Sequence, residues 1–271
     1  MDIDAYLNRI GMERPAVADG AALRELHRAH QIAVPFENLS IHLGEPISLA
    51  EGDLFSKIVR SRRGGFCYEL NGAFALVLEA LGYRVTRVAV RVFGGQRFGP
   101  PFDHLALLVS TSDGSGPWLV DVGFGSHSTY PLSLSTRDDQ DDPAGRFTLV
   151  DAPTLPEAPD GDLDVLKDGA PQYRIERRAR SLDEFAPTCW YQQTSPDSHF
   201  TKGTICTRID DRGRITIADR TLIRTEGGTR TEQPLTTDEE LLAAYRDHFG
   251  IVLDRVPSRP AAAARAVPAQ P

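Results

Sequence analysis

The sequence contains three thiols, and one of them has the setting that nucleophilic catalysis requires. Cys67 follows the glycine pair 64–65 and opens an amphipathic run, whose apolar residues recur at spacings of three and four until Gly82. This pattern predicts a helix that begins near Cys67, where unpaired backbone N–H groups and the helix dipole favour a thiolate. We therefore interpret Cys67 as a nucleophile, with a small buried core residue as the alternative. Cys189 and Cys206, inside predicted strands, fit the core.

A base and an acid lie at the two ends of a predicted hairpin. Apolar runs at 105–109 and 118–122 predict two strands, and the Asp- and Gly-containing segment 111–116 predicts the turn between them. The midpoint of His104 and Asp121 falls inside that turn, which predicts near neighbours across the strands, within one or two residues of register. The carboxylate would then hold the imidazole tautomer and stabilise the imidazolium. A nucleophile at a helix start, a base on one strand and an acid on the next is typical of papain-like and transglutaminase-like enzymes.

The other histidines compete poorly for this role and predict no metal site. His27, His30 and His42 fall in a helical region, which favours core or capping roles. The remaining three lie in predicted loops or at a helix end: His127, His199 and His248. No pair has metal-ligand spacing with a carboxylate or thiol. The acidic run 160–164 is also interpreted as a solvated loop, because Val165 replaces the glycine that a calcium loop requires.

The bulk composition is that of an ordinary globular protein, with 271 residues, 41% hydrophobic and 25% charged. A formal net charge of -8 disfavours nucleic acid and anionic membranes as partners, so an anionic ligand must find a local positive site. No apolar run approaches the roughly 18 residues that a spanning helix needs, and the first residues are acidic. Three widely spaced cysteines argue against a disulfide framework. We expect a cytoplasmic protein with free thiols.

The elements that must position these residues are partly visible in the sequence. Apolar residues at helical spacing predict a helical region up to about residue 85 and a further helix over 237–248. Alternating or continuous apolar residues predict further strands: 85–92, 172–176, 203–208 and 214–217. The segment 135–170 is rich in Asp, Pro and Gly, which predicts long surface loops with at most one strand.

Five segments resemble the arylamine N-acetyltransferases, and they occur in the order of that family over about residues 27–207. They are His30 with 34–39 (Val-Pro-Phe-Glu-Asn-Leu), 63–72 (Arg-Gly-Gly-Phe-Cys-Tyr-Glu-Leu-Asn-Gly), 104–108 (His-Leu-Ala-Leu-Leu), 119–125 (Leu-Val-Asp-Val-Gly-Phe-Gly) and 194–200 (Thr-Ser-Pro-Asp-Ser-His-Phe). The segments of the cysteine and the aspartate are long and specific, whereas the segment of the histidine is weak alone.

The resemblance implies an α+β fold with a papain-like cysteine acyltransferase core: an N-terminal helical bundle, an antiparallel β-barrel and a C-terminal α/β lid. On this basis we expect a helical subdomain with the nucleophilic cysteine over 1–85 and a barrel with the histidine and aspartate over 86–190. The lid would follow over 191–256. Residues 257–271, mostly Pro, Ala and Arg, predict a disordered tail because they cannot bury apolar surface.

The resemblance also implies a ping-pong reaction with Cys67, His104 and Asp121 as catalytic triad. The Cys67 thiolate would take the acetyl group from acetyl-coenzyme A, which acts as co-substrate while no cofactor is bound permanently. An arylamine, arylhydroxylamine or hydrazine would then accept the acetyl group, and His104 would take the proton that the amine loses.

By the same resemblance, three phenylalanines would line the acceptor pocket, with core packing as the alternative: Phe36, Phe124 and Phe200. Three residues after the aspartate would contact the coenzyme: Gly123, Gly125 and Ser126. Arg63 and Glu37 would form a structural ion pair. Two positions depart from the family pattern, Ser126 where a second glycine is common and Asp103 where threonine is common. Strand alternation predicts that Asp103 faces away from His104.

Other functions remain open from the sequence. An amide synthase that closes a macrolactam from a carrier-bound polyketide would use the same triad, with a wider groove as its distinguishing feature. A cysteine protease would be distinguished by peptide cleavage, and a silent binding module by the loss of a triad residue. The sequence predicts neither the physiological acceptor nor the acyl-donor selectivity nor the oligomeric state.

Overall fold

The α-helices are concentrated in the first third of the chain. The computed structural model describes residues 2–153 and 161–258. The α-helices are α1 (Ile3–Ile10), α2 (Gly20–Ala33), α3 (Leu39–Leu43), α4 (Glu51–Phe55), α5 (Cys67–Ala80), α6 (Ala186–Thr194) and α7 (Asp238–Phe249). Shorter turns are a π-helix (Ser56–Arg60) and two 3-10 helices (Leu182–Phe185 and His199–Thr201). The predicted helical region and the predicted C-terminal helix are confirmed. Residue 160 of the acidic run and residues 259–271 of the predicted tail lie outside the described ranges.

The larger sheet is antiparallel and barrel-like, and it carries the histidine and precedes the aspartate. Its strands, in spatial order, are β5 (Leu132–Ser133), β4 (Trp118–Val120), β3 (His104–Ser110), β2 (Arg84–Val92), β9 (Ala170–Arg180), β8 (Leu163–Lys167), β7 (Gly145–Asp151) and β6 (Gln140–Asp142). The helices and this sheet confirm the predicted α+β fold class.

The smaller sheet joins a short N-terminal strand to four strands from the C-terminal part of the chain. Its strands, in spatial order, are β1 (Phe36–Glu37), β10 (Ile205–Ile209), β11 (Gly213–Ala218), β12 (Thr221–Glu226) and β13 (Thr229–Pro234). The short β1 pairs antiparallel with β10, so that Phe36 lies opposite Thr207. The boundaries at residues 85, 190 and 256 stay a prediction.

Helix α5 is the central element of the main core. Leu70, Phe74, Val77 and Leu78 on this helix are fully buried and belong to one apolar cluster with residues of β3 and β4. Complete burial of such side chains contributes about 1.5–3 kcal/mol each. The packing therefore fixes the helix that begins with Cys67 against the strand that begins with His104.

The expectation of surface loops over 135–170 is wrong, because β6, β7 and β8 lie in this segment. Phe147, Leu149, Leu163 and Val165 alternate with polar residues on β7 and β8, and all four are buried. Frequent Asp and Gly residues concealed this alternation in the sequence. The strands form the far side of the barrel-like sheet.

The predicted position of Cys189 in a strand is also wrong. Cys189 lies in α6, which follows directly on the 3-10 helix Leu182–Phe185. Its predicted burial is confirmed, as is that of Cys206, which does lie in a strand, β10. A short apolar run alone does not distinguish a buried helix from a strand.

Candidate active site

The helix that carries the predicted nucleophile begins at Cys67, as the glycine pair and the apolar spacing predict. The side chain of Glu69 accepts a hydrogen bond from the backbone N–H of Phe66 at 3.2 Å, which stabilises the first turn. Lys57 donates to the same carboxylate at 2.6 Å. Burial raises the pKa of the Cys189 thiol, and that of the Cys206 thiol lies well above its ordinary value for the same reason, so both stay protonated.

His104 and Asp121 are brought together as the hairpin predicts. The Nε2 atom of His104 lies 2.7 Å from Oδ2 of Asp121, and both side chains are buried. Leu107 pairs with Val120, so the register is shifted by two residues from the midpoint estimate. A two-residue shift keeps both side chains on the same face of the sheet, which is why the contact survives.

Asn71 supports this pair, a role that the sequence analysis did not assign to it. Its Nδ2 atom donates to Oδ1 of Asp121 at 2.9 Å and to the carbonyl of Leu105 at 2.6 Å. Its Oδ1 atom accepts from the backbone N–H of Val122 at 3.0 Å. Asn71 is four residues after Cys67, so both project from the same face of α5, and this spacing is the signal that could have identified it.

Opposite charges determine the protonation of His104. Burial acts to lower its pKa, but the charges of Asp121 and Cys67 and the hydrogen bonds to both outweigh this and raise the pKa to about 10. For Asp121, burial acts to raise the pKa, and the charge and hydrogen bond of His104 outweigh it and lower the pKa to about 2. The pair is therefore an imidazolium and a carboxylate at neutral pH.

Two other buried histidines lie beside this pair and stay neutral. Burial lowers the pKa of His127 to about 4, against the opposing charge of Asp121. Burial also lowers the pKa of His27, whose Nε2 atom accepts from the backbone N–H of Asp121 at 3.3 Å. Both histidines therefore serve in packing and in positioning their neighbours. His104 alone of the three carries a proton on both ring nitrogens at neutral pH.

Cys67 lies beside His104 in this arrangement. Both side chains line the same cavity, the charge of Cys67 acts to raise the pKa of His104, and Nε2 of His104 faces Asp121. This leaves Nδ1 for the thiol. Gly123 brings the backbone after Asp121 close to the nucleophile, because a Cβ atom at this position would lie 2.8 Å from the Cα atom of Cys67. The site can therefore hold a thiolate beside an imidazolium, with a close-fitting backbone segment on one side.

A cavity of about 850 Å³ opens at Cys67 and His104. The three predicted acceptor-pocket residues line it: Phe36, Phe124 and Phe200. The rings of Phe36 and Phe200 lie 6.1 Å apart, and the ring of Phe124 meets that of His104 edge-on at 5.3 Å. The structure thus brings all three phenylalanines to the cavity that Cys67 lines.

The predicted coenzyme residues are separated by the structure. Gly123 lines the cavity, whereas Gly125 lies against the ring of Phe36. A Cβ atom added at Gly125 would lie 3.1 Å from that ring. The carbonyl of Gly125 accepts a hydrogen bond from Arg214. Ser126 is exposed to solvent. Only Gly123 of the three therefore borders the space next to the thiol.

Asp103 differs in part from its prediction. It lies just before β3, and its Oδ1 atom accepts from Nε2 of Gln192 at 3.0 Å. The carboxylate thus leaves the His104–Asp121 contact free, as predicted, but Asp103 lines the same cavity as His104. Strand alternation fails here because Asp103 precedes the first paired residue of the strand. Burial raises the pKa of Asp103, and the charges of His104 and His199 oppose this shift.

The predicted ion pair of Arg63 and Glu37 is confirmed. Nε of Arg63 lies 2.9 Å from Oε1 of Glu37, and both side chains are buried. Glu37 also accepts from the backbone N–H of Leu39 at 2.6 Å and of Gly64 at 3.3 Å. The pair therefore ties β1 to the turn that precedes Cys67.

Within residues 2–153 and 161–258, no helix is both long and apolar enough to cross a membrane. In the same part of the chain, no group of three or more His, Cys, Asp or Glu residues could hold a metal ion.

Comparisons with known proteins identify the family of this chain. A family model described as N-acetyltransferase matches residues 19–257. The arylamine N-acetyltransferase of Mycolicibacterium smegmatis is 32% identical over 267 residues, 96% of this chain and 95% of that protein. The arylamine N-acetyltransferase / N-hydroxyarylamine O-acetyltransferase of Salmonella typhimurium is 31% identical, over 94% of this chain and 90% of that protein. The structure of Mycobacterium marinum arylamine N-acetyltransferase in complex with CoA has a TM-score of 0.82 at 32% identity, covering 92% of this chain and 93% of that one. This chain therefore belongs to the arylamine N-acetyltransferase family.

Proposed function

We propose that this enzyme transfers an acetyl group from acetyl-coenzyme A to an arylamine, arylhydroxylamine or hydrazine through an acetyl-cysteine intermediate. The observation that carries the proposal is Cys67 at a helix start, in one cavity with a His104 that Asp121 keeps protonated. The names of the Salmonella relative and of the CoA complex of the Mycobacterium marinum relative support the acceptor and donor classes.

In the first half-reaction, the Cys67 thiolate attacks the carbonyl carbon of the thioester. The carbon–sulfur bond to the coenzyme breaks, and His104 gives its proton to the departing coenzyme thiolate. A thioester exchanges readily with a thiolate, so the step needs little further activation. Asp121 holds the imidazole in place and stabilises its charged form.

In the second half-reaction, the neutral amine attacks the acetyl carbon on Cys67. His104 is now an unprotonated base, and it takes the proton that the amine nitrogen loses. The Cys67 thiolate and the His104 imidazolium are thereby restored. An aromatic amine suits this chemistry because it is uncharged at neutral pH. Phe36, Phe124 and Phe200 offer ring faces and edges for its aromatic ring.

For the coenzyme, we keep the segment after Asp121 as the proposed contact, with Gly123 nearest to the thioester. Gly125 and Ser126 would then lie along the path of the pantetheine and phosphates. The amide-synthase alternative is not favoured, since the similar proteins are named as arylamine N-acetyltransferases.

The first test is the intact mass of the protein after mixing with acetyl-coenzyme A in the absence of any amine. We expect wild type to gain one acetyl group and to lose it when an arylamine is added. The Cys67→Ala variant should gain none, and Cys189→Ala, which removes a protonated core thiol, should behave as wild type. Acetylation of Cys67→Ala would refute the assignment of Cys67 as the nucleophile. Absence of acetylation in wild type would refute the assignment of acetyl-coenzyme A as the donor.

A further inference from the structure

The cavity contains a carboxylate that the proposed mechanism does not use. Asp103 lines the cavity beside His104, and its side chain is held by Gln192. The charged groups that act on it are the histidines His104 and His199. In the described part of the chain, no lysine or arginine forms an ion pair with Asp103. Its negative charge is therefore available to a ligand.

The rest of the cavity wall provides little to balance this charge. Phe36, Phe124 and Phe200 form an aromatic wall, and Arg97 is the other side chain among the lining residues with a permanent charge. Arg97 is exposed, so solvent and salt screen it, whereas Asp103 is partly buried and is screened less. Among the side chains that line the cavity, Asp103 is thus the main source of charge when His104 is neutral.

Asp103 is also close to the reacting atoms. Consecutive Cα atoms are about 3.8 Å apart, so Asp103 and His104 enter the cavity side by side. An amine placed for proton transfer to His104 keeps its ring near Cys67, and the far end of that ring with a short substituent extends a few ångströms further. A charged substituent would therefore lie close enough for its electrostatic interaction with the Asp103 carboxylate to change its binding.

We propose that Asp103 sets the charge preference of the acceptor pocket, favouring arylamines with a cationic ring substituent and disfavouring those with a carboxylate. This inference rests on the proposed function, since it concerns the acceptor of the acetyl-enzyme. It assigns Asp103 a role in acceptor specificity and none in the transfer itself.

The test compares three acceptors that differ in charge at one end and share an unperturbed aniline at the other. They are para-aminobenzyltrimethylammonium, para-ethylaniline and para-aminophenylacetate. The measured quantity is kcat/KM for each acceptor, which in a ping-pong reaction reports only the second half-reaction. We expect Asp103→Asn to lower the cation-to-anion ratio of kcat/KM about tenfold, with para-ethylaniline in between. Asparagine keeps an oxygen for Gln192.

A matched control is Asp183→Asn, which removes the same charge from an exposed residue of the 3-10 helix outside the cavity. Its ratio should equal that of wild type. If Asp103→Asn keeps the wild-type ratio within twofold, or if Asp183→Asn changes it equally, the inference is overturned.

A salt series on wild type decides the question even when the variant does not fold. The cation-to-anion ratio should fall as the ionic strength rises from about 0.01 M to 1 M, because Asp103 is screened less than Arg97 but is only partly buried, so salt still weakens its field. A ratio that stays constant with salt would overturn the role of Asp103. Transfer to none of the three acceptors would instead refute the proposed function. Turnover with a cation-to-anion ratio that does not depend on ionic strength would refute the charge preference alone.

Discussion

Replacement of Asp121 by asparagine removes one charge from the site at nearly constant volume. Asp121 accepts from Nε2 of His104 at 2.7 Å, from Nδ2 of Asn71 at 2.9 Å and from the N–H of Gly123 at 3.0 Å. An asparagine side chain offers only one oxygen to these donors, so its NH₂ group would face another donor. Without the carboxylate, the largest contribution that raises the pKa of His104 is lost, and we expect burial to favour the neutral imidazole.

The magnitude follows from the protonation of the thiol. An ordinary cysteine is only a few per cent thiolate at pH 7, so the loss of the imidazolium costs at least about 30-fold in thiolate reactivity. The same change in a Ser-His-Asp enzyme costs about 10⁴-fold, because the imidazole also adopts the wrong tautomer. We therefore expect Asp121→Asn to lose about 10³-fold in turnover and at least 30-fold in alkylation of Cys67.

The assay is alkylation of Cys67 by iodoacetamide, followed by intact mass across a pH series on wild type and on Asp121→Asn. In wild type, the pKa of His104 is raised to about 10, so the imidazolium persists through neutral pH and is lost only as the pH rises through that value. Alkylation of wild type should thus change little between about pH 6 and pH 8, whereas in the variant it should rise about tenfold per pH unit.

The control for this assay is again Asp183→Asn, which should follow the wild-type profile. Circular dichroism would establish that the Asp121→Asn variant is folded. Equal alkylation of folded Asp121→Asn and wild type at pH 7, with the same pH profile, would refute the view that Asp121 maintains the reactive thiol.

Two further substitutions probe the surroundings of the nucleophile. Gly123→Ala would place a Cβ atom 2.8 Å from the Cα atom of Cys67, so the backbone must shift, and kcat/KM should fall by about 10²-fold; a wild-type kcat/KM would contradict the close approach. Glu37→Gln leaves the buried Arg63 without its main partner and should lower the free energy of urea unfolding by about 3 kcal/mol. Glu45→Gln, which removes a half-exposed partner of the same arginine, should cost under about 1 kcal/mol, and equal losses would contradict the assigned burial.

The local parts of the site could be predicted from the sequence because short-range signals determine them. The glycine pair and the apolar spacing predict a helix start at Cys67, and the structure confirms it. The turn between two apolar runs predicts the proximity of His104 and Asp121, with an error of two residues in register. An even-numbered error leaves the faces of both strands unchanged, so the contact was predicted correctly.

The distant parts could not be predicted in the same way. β12 and β13 were missed: every residue of β13 is exposed, so it lacks the alternation of buried residues that marks a strand. β1 consists of two residues, which pair with β10, some 170 residues further along the chain, and form a bridge with Gly65. The same pairing carries Phe36 to the cavity wall beside Phe200. Without the family resemblance, neither phenylalanine would be distinguished from core.

Asn71 shows how the fold converts helix packing into catalytic geometry. Cys67 and Asn71 lie one turn apart on α5, and Asn71 bonds both to β3 through Leu105 and to the segment after β4 through Val122. The helix that carries the nucleophile is thus fastened to the two strands that bring the base and the acid. Because a rise of one turn is fixed by helix geometry, these bonds also fix the distance from Cys67 to His104. The geometry of the proposed triad therefore depends on Asn71, a residue outside it whose bonds to both strands form in the packed structure.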